Sequence, residues 1–201
     1  MKVIGITGGV GSGKSQILNY IRQHYACHIY LADEVAHKVK EKGACCYEAL
    51  VQLLGEKILA EDGQIDKRKM AAVIFSDGAI LERVNEIIHP QVKNYLIERM
   101  SEARKDPSVE LFFIEAALLI EAGYENIVDE LWYIYADREI RSMRLQQNRG
   151  YSVEKVAQIM DSQLSEEVFY EKSDFVIDNS GKLEDSYRQV REKLSDFTFL
   201  E

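Results

Sequence analysis

The glycine-rich segment from Gly8 to Ser15 constrains the fold of this chain more than any other part of the sequence. It matches the pattern G-x-x-x-x-G-K-[ST], in which glycines let the backbone curl around a phosphate group without Cβ clashes. In such a loop the lysine reaches the β- and γ-phosphates and the last hydroxyl binds Mg²⁺. We therefore expect these roles for Lys14 and Ser15. We also expect backbone contacts to a nucleoside triphosphate from Gly9, Val10, Gly11, Ser12, Gly13 and Lys14.

The residues on either side of this segment fit the strand–loop–helix context of a phosphate loop. Residues 2–7 form a short, mostly apolar run that is typical of a buried strand, and residues 16–21 carry apolar side chains at helical spacing. A chance match is the alternative, and a chain of this length would show one roughly once in a hundred cases. The positive end of a helix dipole would add to the attraction for phosphate, so the context favours a real phosphate site.

Composition narrows the possible partners and the compartment. The chain has 201 residues, which is enough for one domain with its own core, and a net charge of −9 that argues against a broad nucleic-acid surface. No apolar run is long enough to span a membrane. The three cysteines, Cys27, Cys45 and Cys46, form no C-x-x-C pair, so we interpret them as free thiols of a cytoplasmic protein. We expect neither a nucleic-acid nor a membrane partner, and a monomer or weak homo-oligomer.

Alternating apolar runs and helical stretches predict an α/β fold with a parallel five-stranded sheet and helices on both faces, as in P-loop NTPases. The five predicted strands are 3–7, 28–31, 109–114, 130–135 and 174–177. A helical insertion interrupts the alternation over 45–104, with helices at 47–54, 67–75, 80–88 and 91–103. A second helical stretch covers 138–170, and the last helix is 183–194. The predicted core is therefore 1–44, 105–137 and 171–201 of a single domain spanning 1–201.

Two carboxylates follow predicted strands, at the sheet edge where open α/β folds bind ligands. Asp33 follows the second strand and could accept the proton of a hydroxyl that receives a phosphoryl group. Capping of a helix over 34–39 is an equally good interpretation of Asp33. Glu115 follows the third strand and could hold Mg²⁺ through water, unless it only ends the strand. We expect the nearby Glu121 to lie on a helix surface.

Four arginines crowd into one short window of this acidic chain. We expect Arg144 and Arg149 to contact the nucleotide, because guanidinium groups bind phosphate and stabilise transition-state charge. The remaining two, Arg138 and Arg141, are expected on a solvated helix face, as in most charge runs. His89 lies deep in the helical insertion, where it is either a structural histidine or a contact to a second substrate.

Several segments together resemble the dephospho-CoA kinase family over nearly the whole chain. They are residues 5–15 (first strand and phosphate loop), 32–36, 62–66, 85–90 (N-x-I-x-H-P), 118–121 (L-L-x-E) and 177–181 (D-N-x-G). The phosphate loop alone is shared by many enzymes, whereas the later elements in this order are far more specific. The sequence departs from the family pattern at Leu31, Lys67, Ala117 and Asn148.

This resemblance implies an activity and names its parts. It implies a kinase that uses ATP and Mg²⁺ to phosphorylate the ribose 3′-hydroxyl of dephospho-CoA, with Asp33 as base and with Lys14 and Arg144 in catalysis. It further implies that the insertion at 45–104 binds the CoA substrate, that 138–170 forms a lid over ATP, and that His89 and Leu118 join Asp33 in binding the acceptor.

Other functions remain open from the residues alone. A P-loop kinase of another small molecule would carry the same loop, although the H-P and D-N-x-G elements oppose it. A guanine-nucleotide switch would need an N-K-x-D motif, which the sequence lacks. A binding protein without catalysis is opposed by the presence of Lys14, Ser15 and Asp33. A dinucleotide-binding dehydrogenase is opposed by glycine spacing that does not fit G-x-G-x-x-G.

Overall fold

The computed structural model describes residues 1–75 and 78–197. Positions 76 and 77 of the predicted insertion and positions 198–201 of the predicted core lie outside the described residues. The chain divides into two compact units, which we call the sheet unit (Met1–Ile29 with Met100–Glu201) and the helical unit (Tyr30–Arg99). Within the described ranges, no helix combines the length and apolar character that crossing a membrane requires.

Five strands form one sheet in the order β2-β3-β1-β4-β5. They are β1 (Lys2–Thr7), β2 (Cys27–Leu31), β3 (Leu111–Glu115), β4 (Glu130–Tyr135) and β5 (Phe175–Asp178). β1 lies parallel to both β3 and β4, and β4 lies parallel to β5. The central strands are almost wholly buried, which explains why they read as continuous apolar runs in the sequence. The predicted α/β fold class is confirmed.

Five helices belong to the sheet unit: α1 (Lys14–His24), α6 (Arg138–Arg149), α7 (Val153–Asp161), α8 (Glu166–Lys172) and α9 (Leu183–Leu194). The hydroxyl of Ser152 accepts a hydrogen bond from the backbone N–H of Lys155 and so caps α7. α1 packs against α9, and α8 packs against β4. Around Trp132, the rings of Phe113 and Phe175 lie edge-on, so aromatic contacts join the interior of the sheet.

The helical unit contains α2 (Ala32–Lys38), α3 (Tyr47–Leu54), α4 (Lys67–Phe75) and most of α5 (Gly78–Ala103). The prediction of two helices at 80–88 and 91–103 is wrong, because α5 continues through Pro90. Proline removes one helical hydrogen bond and commonly ends or kinks a helix. A stripe of buried apolar side chains at four-residue spacing runs past Pro90 and keeps the helix continuous: Val84, Ile88, Val92 and Leu96.

Candidate active site

The phosphate loop connects β1 to α1, and its last glycine has a conformation that other residues rarely adopt. Gly13 is the N-cap of α1 and has φ of 95°. A Cβ atom at this position would overlap the side-chain amide of Asn179. The loop is therefore shaped by left-handed backbone and by close approach of its neighbours, for which glycine is the suitable residue.

The inner side of the loop carries unpaired donors. Within residues 1–75 and 78–197, the backbone N–H groups of Gly11, Gly13 and Ser15 have no hydrogen-bond acceptor. The Ser12 hydroxyl is also buried and has no hydrogen-bond partner among the described residues. Buried polar groups are normally paired, so the unpaired Ser12 hydroxyl, together with the three backbone donors at the start of α1, fits an anion there.

Lys14 and Glu115 meet at the carboxyl ends of β1 and β3. The Lys14 Nζ donates to the Gly8 carbonyl oxygen at 2.7 Å and lies 3.7 Å from Glu115 Oε1. Only 12% of the lysine side chain and 15% of the glutamate side chain are exposed. Residue Ile6 of β1 is paired with Glu115, so the sheet register itself brings the carboxylate to the loop. The structure thus joins two residues that the sequence predicted for one site.

Asn179 and Arg144 hold the Ser12 carbonyl from two different elements. Asn179 follows β5, is fully buried, and donates from Nδ2 to the Ser12 oxygen at 2.7 Å. Arg144 of α6 donates from Nη1 to the same oxygen at 3.3 Å and from Nη2 to the backbone carbonyl oxygen of Asn179 at 2.8 Å. The Ser186 hydroxyl donates to Asn179 Oδ1 at 2.9 Å and fixes the amide orientation. The D-N-x-G segment points to Asn179 in the sequence, but it does not reveal that this side chain holds the phosphate loop.

The other three arginines of α6 have different surroundings. Arg141, which was predicted on the surface, is only 7% exposed, and that prediction is wrong. It lies on the helix face that packs against the phosphate loop, and burial lowers the pKa of its guanidinium. Arg138 is exposed, as predicted, and pairs with Asp161 at 2.6 Å. Arg149 is exposed at the end of α6, with no hydrogen bond or ion pair among the described residues.

Two predicted acceptor-site residues lie in the helical unit. Asp33 is exposed in the first turn of α2. Its alternative role as a helix cap is wrong, because α2 begins one residue earlier, at Ala32, and its N-cap is Leu31. His89 lies within α5, and partial burial lowers the pKa of its imidazole.

Two further residues of the sheet unit lie in the segment after β3. Leu118 is 50% exposed and stands in a turn. Glu121 is exposed, as expected, but it also lies in a turn and not on a helix.

The helical unit contains a cavity of about 470 Å³ that is lined by both basic and apolar side chains. Lys40 and Lys67 are two of its basic residues, and His37 is a third. Burial, and then the charge of Lys67, lower the pKa of Lys40. The apolar part of the lining includes Met70, Ile74, Leu81, Val84 and Ile88. Such a cavity can take a ligand with both an anionic group and an apolar arm.

Comparison with known proteins agrees with the phosphate-loop geometry. A family model described as dephospho-CoA kinase matches residues 2–185. The dephospho-CoA kinase of Streptococcus mutans is 37% identical over 196 residues, with 96% of each protein covered. A crystal structure from Thermus thermophilus is similar with a TM-score of 0.82 and 30% identity, and covers 98% of both chains.

A solved dephospho-CoA kinase from Campylobacter jejuni has a TM-score of 0.74 to this chain and 25% identity. The similarity covers 98% of this chain and 97% of the Campylobacter protein. Both the family model and the relatives therefore extend over the sheet unit and the helical unit. The chain belongs to the dephospho-CoA kinase family, and it transfers the γ-phosphate of ATP to the ribose 3′-hydroxyl of dephospho-CoA, which gives coenzyme A and ADP in the final step of coenzyme A biosynthesis.

Proposed function

We propose that the phosphate loop binds the triphosphate of ATP, with backbone contacts from residues 9–15 and with Lys14 on the β- and γ-phosphates. The observation that carries this proposal is the buried Lys14 ammonium beside a loop whose N–H groups at Gly11, Gly13 and Ser15 have no acceptor among the described residues. Lys14 and Arg144 then stabilise the charge that spreads over the transferred phosphoryl group. Arg149 is a second lid contact to ATP in this proposal.

We further propose that Ser15 and Glu115 hold Mg²⁺, the latter through water. Hydroxyl and carboxylate oxygens are the ligands that Mg²⁺ prefers, so the donor set fits the ion. Among the described residues there is no cluster of three or more His, Cys, Asp or Glu side chains that could hold a metal by itself. In this proposal the ion is held jointly by the protein, water and ATP phosphates. When bound between these residues, Mg²⁺ would neutralise part of the negative charge of the ATP phosphates.

The acceptor, in this proposal, binds the helical insertion, predicted at 45–104, together with neighbouring residues of the helical unit. The cavity of the helical unit supports this assignment, because dephospho-CoA carries a diphosphate and a long arm with apolar stretches. Lys40 and Lys67 would contact the diphosphate, and the apolar lining would contact the arm. His89 and Leu118 are proposed as further contacts to the acceptor.

Asp33 is proposed as the base that orients the ribose 3′-hydroxyl and accepts its proton as the phosphoryl group transfers. Its exposed position in the first turn of α2, two residues after the end of β2, supports this role. The transition state of phosphoryl transfer is loose, so the carboxylate mainly positions the nucleophile. Segment 138–170 is proposed to act as the lid, which would exclude water as a competing phosphate acceptor.

Replacement of Asp33 by Asn tests the catalytic assignment. We expect Asp33→Asn to lower kcat by about 10²- to 10⁴-fold, because general-base catalysis contributes that much. The KM for ATP should change little. Glu34→Gln is the matched control, since Glu34 is also an exposed carboxylate in the first turn of α2. An equal loss of ATP affinity in Asp33→Asn, or an equal loss of kcat in Glu34→Gln, would contradict the role of Asp33.

We also propose that the enzyme works in the cytoplasm as a monomer or weak homo-oligomer. Its three cysteines are free thiols, as expected in a reducing compartment. Sedimentation velocity over a range of concentrations measures the association directly, and a stable oligomer at nanomolar concentration would contradict this proposal.

A further inference from the structure

Arg141 and Gln163 together hold both polar backbone groups of a single phosphate-loop residue, Val10. The Nε of Arg141 donates to the Val10 carbonyl oxygen at 3.0 Å, and the Val10 N–H donates to Gln163 Oε1 at 3.0 Å. The same Gln163 oxygen accepts a hydrogen bond from Arg141 Nη2 at 2.9 Å. We call this three-residue arrangement the Val10 latch.

The latch determines the direction of two peptide groups in the loop. A peptide bond is planar and trans, so its C=O and N–H point in opposite directions. The bond from Arg141 to the Val10 oxygen therefore turns the Gly11 N–H away from Arg141. In the same way, the bond from Val10 to Gln163 turns the Gly9 carbonyl away from Gln163, and that carbonyl accepts the Ser12 N–H at 3.2 Å within the loop.

Close packing around the buried Arg141 restrains this arrangement. The Arg141 side chain lies so close to Gly9 that a Cβ atom at that position would overlap its guanidinium. Val10 also packs against an apolar cluster formed by Leu145, Val156 and Met160. Hydrogen bonds in such a site are strong, and leaving one partner unpaired there is costly.

We propose that Arg141 and Gln163 are positioning residues that set the phosphate loop for ATP before the nucleotide binds. They act through Val10, by aiming the unpaired Gly11 N–H toward the phosphate, and the latch needs no contact of its own with ATP. The proposal rests on the proposed role of the phosphate loop as the ATP site. It assigns to residues of α6 and of the segment after α7 a function in binding the donor that their positions in the sequence did not suggest.

Gln163 carries no charge, so its replacement tests the orientation of Val10 without removing any attraction between Arg141 and phosphate. We expect both Arg141→Met and Gln163→Met to raise the ADP dissociation constant and the ATP KM about 10-fold, which is the loss of one partly buried hydrogen bond. The KM for dephospho-CoA should stay within about two-fold of its native value. Both residues act on Val10, so their effects should not add. The double variant should bind ADP no more weakly than whichever single variant binds it less tightly.

A matched control is available on the same elements. Arg138 of α6 and Asp161 of α7 form an exposed ion pair, and neither has a hydrogen bond to the phosphate loop among the described residues. Arg138→Met should therefore leave ADP binding unchanged. Arg141→Lys keeps the charge but lacks Nε, so it should weaken ADP binding as Arg141→Met does, and it remains informative if the methionine variant unfolds.

Isothermal titration with ADP and steady-state kinetics with both substrates are the measurements. Native ADP affinity in Gln163→Met or in Arg141→Lys would overturn the latch, as would additive effects in the double variant or an equal rise in both KM values. Lys14→Ala separates the two proposals: if it keeps native ADP affinity, the ATP site itself is misassigned. If Lys14→Ala loses ADP affinity while the latch variants keep it, only the latch is wrong.

Discussion

The phosphate loop and the cavity of the helical unit, which are the two proposed ligand sites, differ in what forms their surface. In the loop, the backbone is the proposed binding surface, and neighbouring side chains such as Asn179, Arg144 and Arg141 hold its carbonyl groups. In the cavity, the side chains themselves form the surface, with Lys40 and Lys67 beside an apolar lining. The loop is thus a site of backbone geometry, whereas the cavity is a site of side-chain chemistry.

This difference explains why mutations should act differently in the two regions. A residue that orients a peptide group of the loop sets the direction of its N–H, so its loss should weaken ATP binding and leave the acceptor unaffected. A cavity side chain contributes one contact among several, so its loss should be moderate and confined to the acceptor. The following predictions test this contrast in order of decreasing expected effect.

Lys14→Ala should give the largest effect. The variant removes the buried ammonium that lies 3.7 Å from Glu115 Oε1, and with it the charge proposed to act on the γ-phosphate. We expect kcat/KM to fall about 10³-fold, because preorganised charge contributes most to phosphoryl transfer. The far-ultraviolet circular dichroism spectrum should remain native. Near-native turnover in a coupled ADP-release assay would exclude the loop as the catalytic donor site.

Gly13→Ala tests whether close packing holds the loop. The new Cβ would require a left-handed φ of 95° and would overlap the Asn179 amide, which also holds the Ser12 carbonyl. We expect a loss of about 3 kcal/mol in the free energy of unfolding, the range for strain combined with overpacking. Thermal unfolding gives the measurement.

Gly150→Ala is the control for the Gly13 variant. Gly150 also has a positive φ, of 63°, but no atom lies within 4 Å of a Cβ built there. It should lose only about 1 kcal/mol, the cost of the backbone conformation alone. Equal losses at the two positions would show that packing around the loop contributes nothing beyond backbone strain.

The same contrast separates what could be predicted from the sequence from what could not. The loop, its strand and its helix were predictable, because backbone curvature demands glycine at fixed spacing. The meeting of Lys14 with Glu115 was also foreseeable, because Lys14 lies in the loop after β1, Glu115 ends β3, and the two strands run parallel. The buried position of Arg141 was not, because its packing surface comes from residues more than 100 positions away in the chain. Likewise, the helix through Pro90 depends on a long buried stripe that overrides a local rule.

Lys40→Met should have a smaller and more selective effect. Lys40 lines the cavity of the helical unit, where burial and the charge of Lys67 lower the pKa of its ammonium. If this cation contacts the acceptor diphosphate as proposed, its loss should raise the KM for dephospho-CoA about 10-fold, equivalent to one charged hydrogen bond. The ATP KM should not change. Lys38→Met is the control, because Lys38 is exposed near the end of α2 and does not line the cavity; a similar rise in that variant would point to general charge and not to the cavity.

Acidification should produce the smallest effect, and the helical unit and the sheet unit should respond in different pH ranges. Partial burial lowers the pKa of His89 in the helical unit below its usual 6.5, so the unfolded chain binds more protons and stability falls as the pH drops through 6.5. In the sheet unit, burial alone would raise the pKa of Glu130. Hydrogen bonds from Trp132 and two lysine side chains outweigh burial and lower this pKa. The ionised Glu130 therefore stabilises the folded protein above pH 4.5, and this stabilisation is lost as the pH falls below that value.

Hydrogen exchange of α5 amides at pH 7.5 and 5.5 should therefore show a loss of stability that His89→Gln removes. Because solvent screens the partly buried ring, the difference should be less than about 1 kcal/mol. Glu130→Gln should leave this pH dependence unchanged, since its own range begins below 4.5. An undiminished loss in His89→Gln would mean that another group in the helical unit, such as His37, whose pKa is also lowered, dominates its response to acid. Acid would then still distinguish the two regions, but through the basic residues of the cavity and not through the helix that crosses Pro90.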